Sequence, residues 1–295
     1  MTARLATHPD IAGRTKRVLD QLDDAGIDVD FIGELDVGDP FAALRAHQID
    51  MALVGITAIR GSEGAEFTTV AVLPRMETRD VLVALEGRAK PLSEVAPGKP
   101  VGLTGPRRRA LLAAHRPDLI PLEMDVDDVR AMTNRLSHEG SGMEGVNDEN
   151  PDVLIMSALD AGESGLLEEA VEVLDPKAWF PEPGQGALAL IARYPIAEAT
   201  ALDHLPTRTA LRTELALIDA MAPYGTETLG CLAQPSGQWI HLWAGAVSRA
   251  GDRLVRSNRT GPLDEPEGLG VSVADDLVAR GYEIVTELGG RDFAG

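Results

Sequence analysis

The sequence predicts an α/β protein that ends in a small α+β unit, and three observations support this fold class. Short apolar runs alternate with helix-like stretches between residues 4 and 55, a rhythm typical of parallel sheets with crossover helices. The same rhythm returns between residues 80 and 156. Residues 199–295 follow a different order, in which a helix precedes a group of strands.

The first unit begins with a strand at residues 4–7. Asp10 is a candidate helix N-cap, an apolar stripe at helical spacing follows through Val18 and Leu22, and Gly26 ends the helix. The remaining elements are a strand at 27–32, a short helix at 39–47 and a buried strand at 50–55.

The second unit repeats this alternation. Its predicted elements are strands at 80–85 and 100–105, a helix at 107–115, a strand at 119–122, a helix at 126–136 and a strand at 152–156. Residues 137–151, with three glycines and several acids, read as a solvated loop. That loop is long enough that a functional role stays open.

The C-terminal part begins after a rigid turn at residues 181–188, which leads into an apolar strand at 187–192. Its predicted elements are a helix at 210–221, strands at 239–247 and 253–258, a helix at 268–278 and a last strand at 282–288.

The charge of the chain is strongly negative: 47 acidic residues stand against 27 basic ones, a net charge of −20. Such a surface repels nucleic acids and anionic membranes, so neither is expected as a partner. A high-GC or salt-adapted host explains the excess of acid, and a cationic partner is the alternative.

A single cysteine excludes an internal disulfide framework and a zinc site built from several cysteines. No metal is therefore expected. The N-terminus lacks the apolar run of a signal peptide, and no stretch approaches the roughly 18–20 apolar residues of a membrane span. A cytoplasmic protein is expected.

Several motifs resemble one family and keep that family's order along the chain. They are IDMAL at 49–53, RDVLV at 79–83, RRR at 107–109 with RPDL at 116–119, PGQGAL at 183–188 and TALRTE at 209–214. Together they resemble the porphobilinogen deaminase (hydroxymethylbilane synthase) family of tetrapyrrole (heme) biosynthesis. That family condenses four porphobilinogens into hydroxymethylbilane and carries a dipyrromethane cofactor on a cysteine.

The resemblance implies three domains and a monomer. Domain 1 would comprise residues 1–76 with 178–198, domain 2 residues 77–177, and domain 3 residues 199–295 with the cofactor loop. The first two would be lobes like those of periplasmic binding proteins, with a small-molecule ligand in the cleft between them.

The family reaction needs a carboxylate to stabilise positive charge and to move protons. The position of the family's catalytic aspartate is occupied by Ala58 in this chain. Asp50 and Glu63 are the nearest carboxylates in sequence, and Asp50 reads as the start of a strand. The catalytic acid is therefore unknown.

The family also uses arginines to bind the acidic groups of its substrate, because a guanidinium fork suits a carboxylate. Several of these are lost, including one whose position is taken by Glu123, and the segment that forms the family's lid is reduced to residues 34–40. The candidate anion-binding residues that remain are His8, Thr104, Gly105, Arg107, Arg108 and Gln185.

The segment that corresponds to the family's cofactor loop also differs from the family pattern. Gly225 occupies the position of the family cysteine, and Cys231 lies six residues further on. A lone cysteine in apolar company is usually a buried packing residue. No cofactor is therefore expected, although the alternative places dipyrromethane on Cys231.

Three interpretations stay open. In the first, the protein has lost the family reaction and binds a small ligand or a protein partner, with a regulatory role in tetrapyrrole synthesis. In the second, it is an active, divergent hydroxymethylbilane synthase that uses Cys231. In the third, it is a different small-molecule enzyme on the same scaffold.

Overall fold

The computed structural model describes residues 2–7, 14–33, 39–59, 66–84, 90–124, 151 and 153–282. The chain divides into two compact units, which are Met1–Met76 with Gly184–Arg212 and Glu77–Pro183 with Thr213–Gly295. The division into three domains, made from the sequence, stays a prediction. His8, Asp10, Glu63, the predicted helix at 126–136, almost all of the 137–151 loop and the predicted strand at 282–288 apart from its first residue lie outside the described residues.

The first unit is built on a five-stranded mixed sheet. Its elements are β1 (Ala3–Thr7), α1 (Thr15–Asp24), β2 (Val29–Phe31), α2 (Pro40–Arg45), β3 (Met51–Gly55), α3 (Ile56–Ile59), β4 (Thr68–Val72) and, much later in the chain, β10 (Leu188–Ala192). The strand order is β2-β1-β3-β10-β4. β1 runs parallel to β2 and β3, whereas β10 runs antiparallel to both of its neighbours.

Local sequence explains these helices. In α1 the buried residues Thr15, Val18 and Leu22 follow one helical face, and Gly26 takes φ +72° just beyond the helix, as is usual after a helix end. In α2 the Asp39 carboxylate accepts a hydrogen bond of 2.9 Å from the Phe41 N–H, which satisfies one of the unpaired donors of the first turn.

The second unit holds a sheet of the same design. Its elements are β5 (Asp80–Ala84), β6 (Pro100–Leu103), α4 (Gly105–His115), β7 (Ile120–Glu123), β8 (Val153–Ser157), α5 (Ala158–Glu163) and β9 (Ala170–Val173). The order is β7-β6-β8-β5-β9. β6 is parallel to β7 and β8, and β5 is antiparallel to its neighbours β8 and β9. In each sheet the fourth strand in spatial order is the antiparallel one, so the two sheets share one topology.

The second unit also contains a three-stranded antiparallel sheet. Its elements are α6 (Leu205–Met221), whose first residues belong to the first unit, β11 (Leu229–Ser236), β12 (Trp239–Val247), β13 (Leu254–Pro262) and α7 (Pro266–Ala279). Leu269 of α7 packs on Gly261 of β13, where an added Cβ would lie 3.2 Å from the leucine Cβ. This helix therefore covers one face of the sheet.

Two glycines let the other face of this sheet meet the segment that follows β9. Gly230 and Gly245 are paired across β11 and β12. A Cβ on Gly245 would lie 2.3 Å from the Phe180 ring, and one on Gly230 would lie 2.6 Å from the Phe180 Cβ. The bare backbone at this pair is what allows Phe180 to pack there.

The fold class predicted from the sequence is confirmed: two mixed α/β sheets are accompanied by a separate small sheet. The strands at 4–7, 50–55, 80–85, 152–156, 187–192 and 239–247 are confirmed within one or two residues. β4, β9 and β11 lie outside the predicted elements, and α6 begins at Leu205 rather than at residue 210. Among the described residues, no helix is long and apolar enough to cross a membrane.

Candidate functional site

The twin arginines of the predicted anion site lie at the start of α4, directly after β6. Gly105 takes φ +80° at the turn. Thr104 is half-buried and Gly105 is exposed, whereas the side chains of Arg107 and Arg108 are only 7% and 10% exposed. The structure therefore brings these four candidates together but turns the two guanidinium groups inward.

Both guanidinium groups meet a carboxylate of the protein itself. Asp80, the first residue of β5, is completely buried. Arg107 donates to its Oδ2 at 3.0 Å. Arg108 donates to both oxygens, through Nε to Oδ2 and through Nη2 to Oδ1, each at 3.0 Å. This bidentate pairing is the geometry in which a guanidinium binds a carboxylate most strongly.

Further donors and acceptors complete the cluster. The indole Nε1 of Trp179 donates to Asp80 Oδ2 at 3.0 Å. The carbonyl oxygen of Phe180 accepts from Arg107. Arg108 also donates to Thr104 Oγ1 at 2.6 Å. The hydroxyl that was expected to face an anion therefore accepts from an arginine of its own helix.

The electrostatics agree with this internal pairing. Burial lowers the pKa of Arg107, and the charge of Asp80 only partly offsets the effect. For Arg108 burial acts in the same direction, but the charge and hydrogen bonds of Asp80 outweigh it and the pKa is raised. The charge of Glu182 also acts on both arginines. Two cations thus lie within the field of several carboxylates, and little positive charge remains for an incoming anion.

Gln185 lies in the other unit, at the turn before β10. Its carbonyl oxygen accepts a hydrogen bond of 3.0 Å from Arg75 Nε. The preceding Gly184 has φ +79°, and a Cβ there would lie 2.5 Å from Ile56 Cγ2. The Pro-Gly-Gln-Gly turn thus has a structural reason to keep its glycine, and a ligand contact by Gln185 stays a prediction.

Ala58 belongs to α3, the single helical turn that directly follows β3. An alanine at this place offers neither charge nor a titratable proton, whatever binds near it. Asp50, the nearest carboxylate before the strand, is engaged elsewhere: Arg4 donates to its two oxygens at 3.2 Å each. This ion pair lowers the pKa of Asp50, which agrees with its interpretation as a strand-start residue.

The loop that follows α6 has a glycine, not a cysteine, at its exposed position 225. Gly225 is exposed and takes φ +80°. Its carbonyl oxygen accepts a hydrogen bond of 2.6 Å from the Tyr282 hydroxyl, and the rings of Tyr224 and Tyr282 meet edge to face at 6.5 Å. The two tyrosines therefore fix the loop at Gly225, the predicted position of the family cysteine.

Cys231 lies on β11 and is completely buried. It is opposite Ala244 of β12, and its N–H donates to the carbonyl oxygen of Pro181 at 3.0 Å. A covalent cofactor needs a thiolate that a reagent can reach. The residues present do not fit such a group, because the exposed position has no thiol and the only thiol is enclosed.

Asp80 and Trp179 are the members of the arginine cluster that sequence reasoning missed. The available signal was a charged residue at the head of a strand that is otherwise entirely apolar, since buried carboxylates are normally paired. In the described part of the chain, no group of three or more His, Cys, Asp or Glu side chains could hold a metal ion.

Comparison with known proteins agrees with the resemblance carried by the motifs. Residues 14–200 match the family model described as "Porphobilinogen deaminase, dipyromethane cofactor binding domain". A porphobilinogen deaminase of Deinococcus radiodurans is 30% identical over 94% of this chain and 86% of the relative. One of Thermus thermophilus is 31% identical over 83% of this chain and 79% of the relative.

A third relative, the porphobilinogen deaminase of Thermobifida fusca, is 28% identical over 82% of this chain and 75% of its own length. Among solved structures, a periplasmic substrate-binding protein of an ABC transporter from Coxiella burnetii overlaps 70% of this chain and 93% of its own. The overlap has 15% identity and a TM-score of 0.43, which is too low to carry an inference.

Proposed function

The chain belongs to the porphobilinogen deaminase family, and we propose that it is a divergent member that does not perform the dipyrromethane-dependent condensation of porphobilinogen. It keeps the family scaffold and acts as a ligand-binding or regulatory homologue in tetrapyrrole synthesis. The observation that carries this proposal is the complete burial of Cys231, the only thiol in the chain.

Two other features support the proposal. Ala58 at the aspartate position removes the group that would stabilise positive charge. The pairing of Arg107 and Arg108 with Asp80 leaves the retained arginines committed to an internal carboxylate. A reaction that joins polycarboxylate substrates would need those guanidinium groups for the substrate instead.

The ligand proposed for this scaffold is a small carboxylate. Thr104 and Gly105 are the accessible part of the candidate set, and the first turn of α4 directs N–H groups towards that side. Pro106 lacks an N–H, so the turn offers fewer donors than usual. A cytoplasmic location and a monomeric state belong to the same proposal and rest on the sequence and the family resemblance.

Intact-mass spectrometry of the purified chain, combined with an assay of porphobilinogen consumption, tests the proposal. We expect the mass of the unmodified polypeptide and no consumption. The relative from Deinococcus radiodurans, run in parallel, checks that the assay works. A covalent adduct that disappears in Cys231→Ser, or consumption above the buffer rate, would show that the protein is an active synthase.

A further inference from the structure

The three-stranded sheet has two edges, and β13 forms one of them. Hydrogen bonds at both ends of the β12–β13 pair show which backbone groups of β13 reach β12. The N–H of Ser248 donates to the carbonyl oxygen of Arg253, and the N–H of Leu263 donates to that of Gln238, each at 2.9 Å. The register between these bonds is unbroken. Because backbone groups alternate along an antiparallel strand, those directed away from β12 belong to Leu254, Arg256, Asn258 and Thr260. We call these groups the outer edge of β13.

The opposite edge of the sheet, on β11, is closed by bonds within the chain. The N–H of Cys231 donates to the carbonyl oxygen of Pro181 at 3.0 Å. Two residues further on, the N–H of Ala233 donates to Glu214 Oε1 at 2.8 Å. Pro235 follows and has no N–H. Each outward position of β11 from 231 to 235 is therefore either bonded or without a donor.

The outer edge of β13 has no comparable cover. Within the ranges that the structure describes, the N–H groups of Arg256, Asn258 and Thr260 form no hydrogen bond, and all three residues are exposed. The register with β12 contains no bulge, and the only proline, Pro262, is the last residue of the strand. An edge of this kind is a template for pairing with another strand.

The local charge of β13 indicates which strand it would select. Residues 253–263 contain three arginines and no acid, although the net charge of the chain is −20. Arg259 is already paired with Asp276 at 3.0 Å. Arg256 is exposed and forms no ion pair with the described residues. Since opposite charges on directly facing strand residues attract and like charges repel, Arg256 favours a carboxylate on the strand beside it.

The net charge of the chain does not prevent this selection. At 0.15 M salt, interactions between exposed charges more than about 8 Å apart are largely screened. A short segment that lies against β13 is therefore affected more by Arg256 than by the distant acidic residues.

We propose that β13 accepts an extended segment of a protein partner as a fourth strand, with an acidic side chain of that segment opposite Arg256. The backbone groups of the outer edge supply the affinity, and the charge supplies the selectivity. Residues 254–260 span about 20 Å, so a segment of about seven residues fits. This surface shares no residue with the α4 cluster, and the proposal does not depend on the function proposed above.

Fluorescence anisotropy with a labelled peptide in 0.15 M NaCl tests the proposal. The probe has seven residues, in which threonine and valine alternate around a central glutamate. We expect saturable 1:1 binding to the full chain that weakens at least tenfold in Asn258→Pro, because this change removes one N–H of the outer edge. Asn258→Ala, which keeps that N–H, is the matched control and should bind like the unchanged protein. Arg256→Gln should abolish the preference for this probe over the same peptide with a central lysine.

Amide hydrogen exchange of the unchanged protein gives a second readout that needs no variant. The amides of Arg256, Asn258 and Thr260 should exchange rapidly in the free chain and slowly in the complex. Those of Val255 and Ser257 bond to β12 and should be protected in both states. Proline at position 258 leaves the bonds to β12 intact, and circular dichroism will verify the fold of each variant.

Equal affinity of Asn258→Pro and Asn258→Ala would overturn the proposal, as would the absence of saturable binding or new protection confined to another strand. Tighter binding of the lysine peptide would contradict the role of Arg256. A dimer of the unchanged chain that dissociates in Asn258→Pro would overturn the choice of partner and assign the edge to a second copy.

Discussion

Cys231 shows how much the place of one side chain can decide. The sequence predicts that this residue lies six positions beyond the family's anchor. Its position on β11, between β12 and the backbone of Pro181, matters more than that distance along the chain. A buried thiol is shielded from reagents, and burial in apolar surroundings disfavours the thiolate. Reactivity is therefore the property that separates a packing residue from an anchor.

We expect Cys231 to react with 5,5′-dithiobis(2-nitrobenzoate) only after the protein unfolds, because its side chain is enclosed. The double variant Gly225→Cys with Cys231→Ser should react in the native state, since position 225 is exposed. This variant should also lose about 1–3 kcal/mol of stability because φ +80° is unfavourable for a residue with a Cβ. Rapid labelling of the unchanged protein under native conditions would contradict the burial argument.

Asp80 offers a second test at the residue scale. Asp80→Asn should lower the free energy of unfolding by about 3–5 kcal/mol, because two buried guanidinium groups would lose their counter-charge. Glu66→Gln is the matched control: it breaks the exposed pair with Arg45 and should cost less than about 1 kcal/mol. Urea denaturation measures both values, and near-equal losses would show that the cluster is not an essential ion network.

At the scale of elements, the packing of β12 on the segment after β9 depends on the absence of side chains. Gly230 and Gly245 form one cross-strand pair, and Phe180 lies directly over both. Interiors of proteins are packed too densely to admit an extra methyl group without a shift. One added methyl group on Gly230 or Gly245 would therefore disrupt the contact between this sheet and Phe180.

Gly245→Ala should accordingly destabilise the protein by about 1–3 kcal/mol, the usual cost of overpacking. Gly268→Ala in α7 is the opposite case. Its nearest neighbour for a Cβ is 4.0 Å away, so the substitution should stabilise the helix by up to about 1 kcal/mol. Thermal unfolding of the two variants measures both effects; a stabilised Gly245→Ala would be inconsistent with the contact of Phe180.

Secondary structure was predictable where local periodicity is strong. The central strands are buried on both faces and read as continuous apolar runs, which is typical of strands inside a mixed α/β sheet. β11 lacks this signal because it contains two polar residues and Pro235 near its end. Proline is tolerated there because β11 is an edge strand, and edge status is a property of the sheet, not of the segment.

At the scale of the whole molecule, the net charge of −20 is the dominant electrostatic feature. Like charges distributed over one surface repel one another and oppose compaction. Most of the exposed ion pairs, such as Lys16–Asp20, contribute at most about 1 kcal/mol each. Salt weakens both contributions, but the repulsion acts among many more charges than the pairs do.

The midpoint of urea denaturation should therefore rise as NaCl increases from about 0.02 to 0.5 M, over which the Debye length falls from roughly 20 Å to about 4 Å. KCl should act like NaCl, because the effect is screening and not specific ion binding. A midpoint that falls with salt would mean that favourable ion pairs outweigh the general repulsion.

The candidate site was predictable only in part. Substitutions at the family's functional positions could be predicted from the sequence alone, because an alanine at position 58 and a glycine at position 225 lack the required groups in any fold. The pairing partner of the arginines was not visible. Asp80 is 27 residues before Arg107 and 28 before Arg108, and only the sheet brings the start of β5 to the start of α4.

By itself the sequence determined the α/β class and the family, since these follow from local periodicity and from motifs in a fixed order, and it predicts the loss of the catalytic aspartate from the identity of a single residue. Tertiary structure alone decided that Arg107 and Arg108 bind Asp80, that Cys231 is enclosed and that Phe180 packs over Gly230 and Gly245. The physical reason is that burial and charge pairing depend on which distant segments pack together, and no local pattern records that packing.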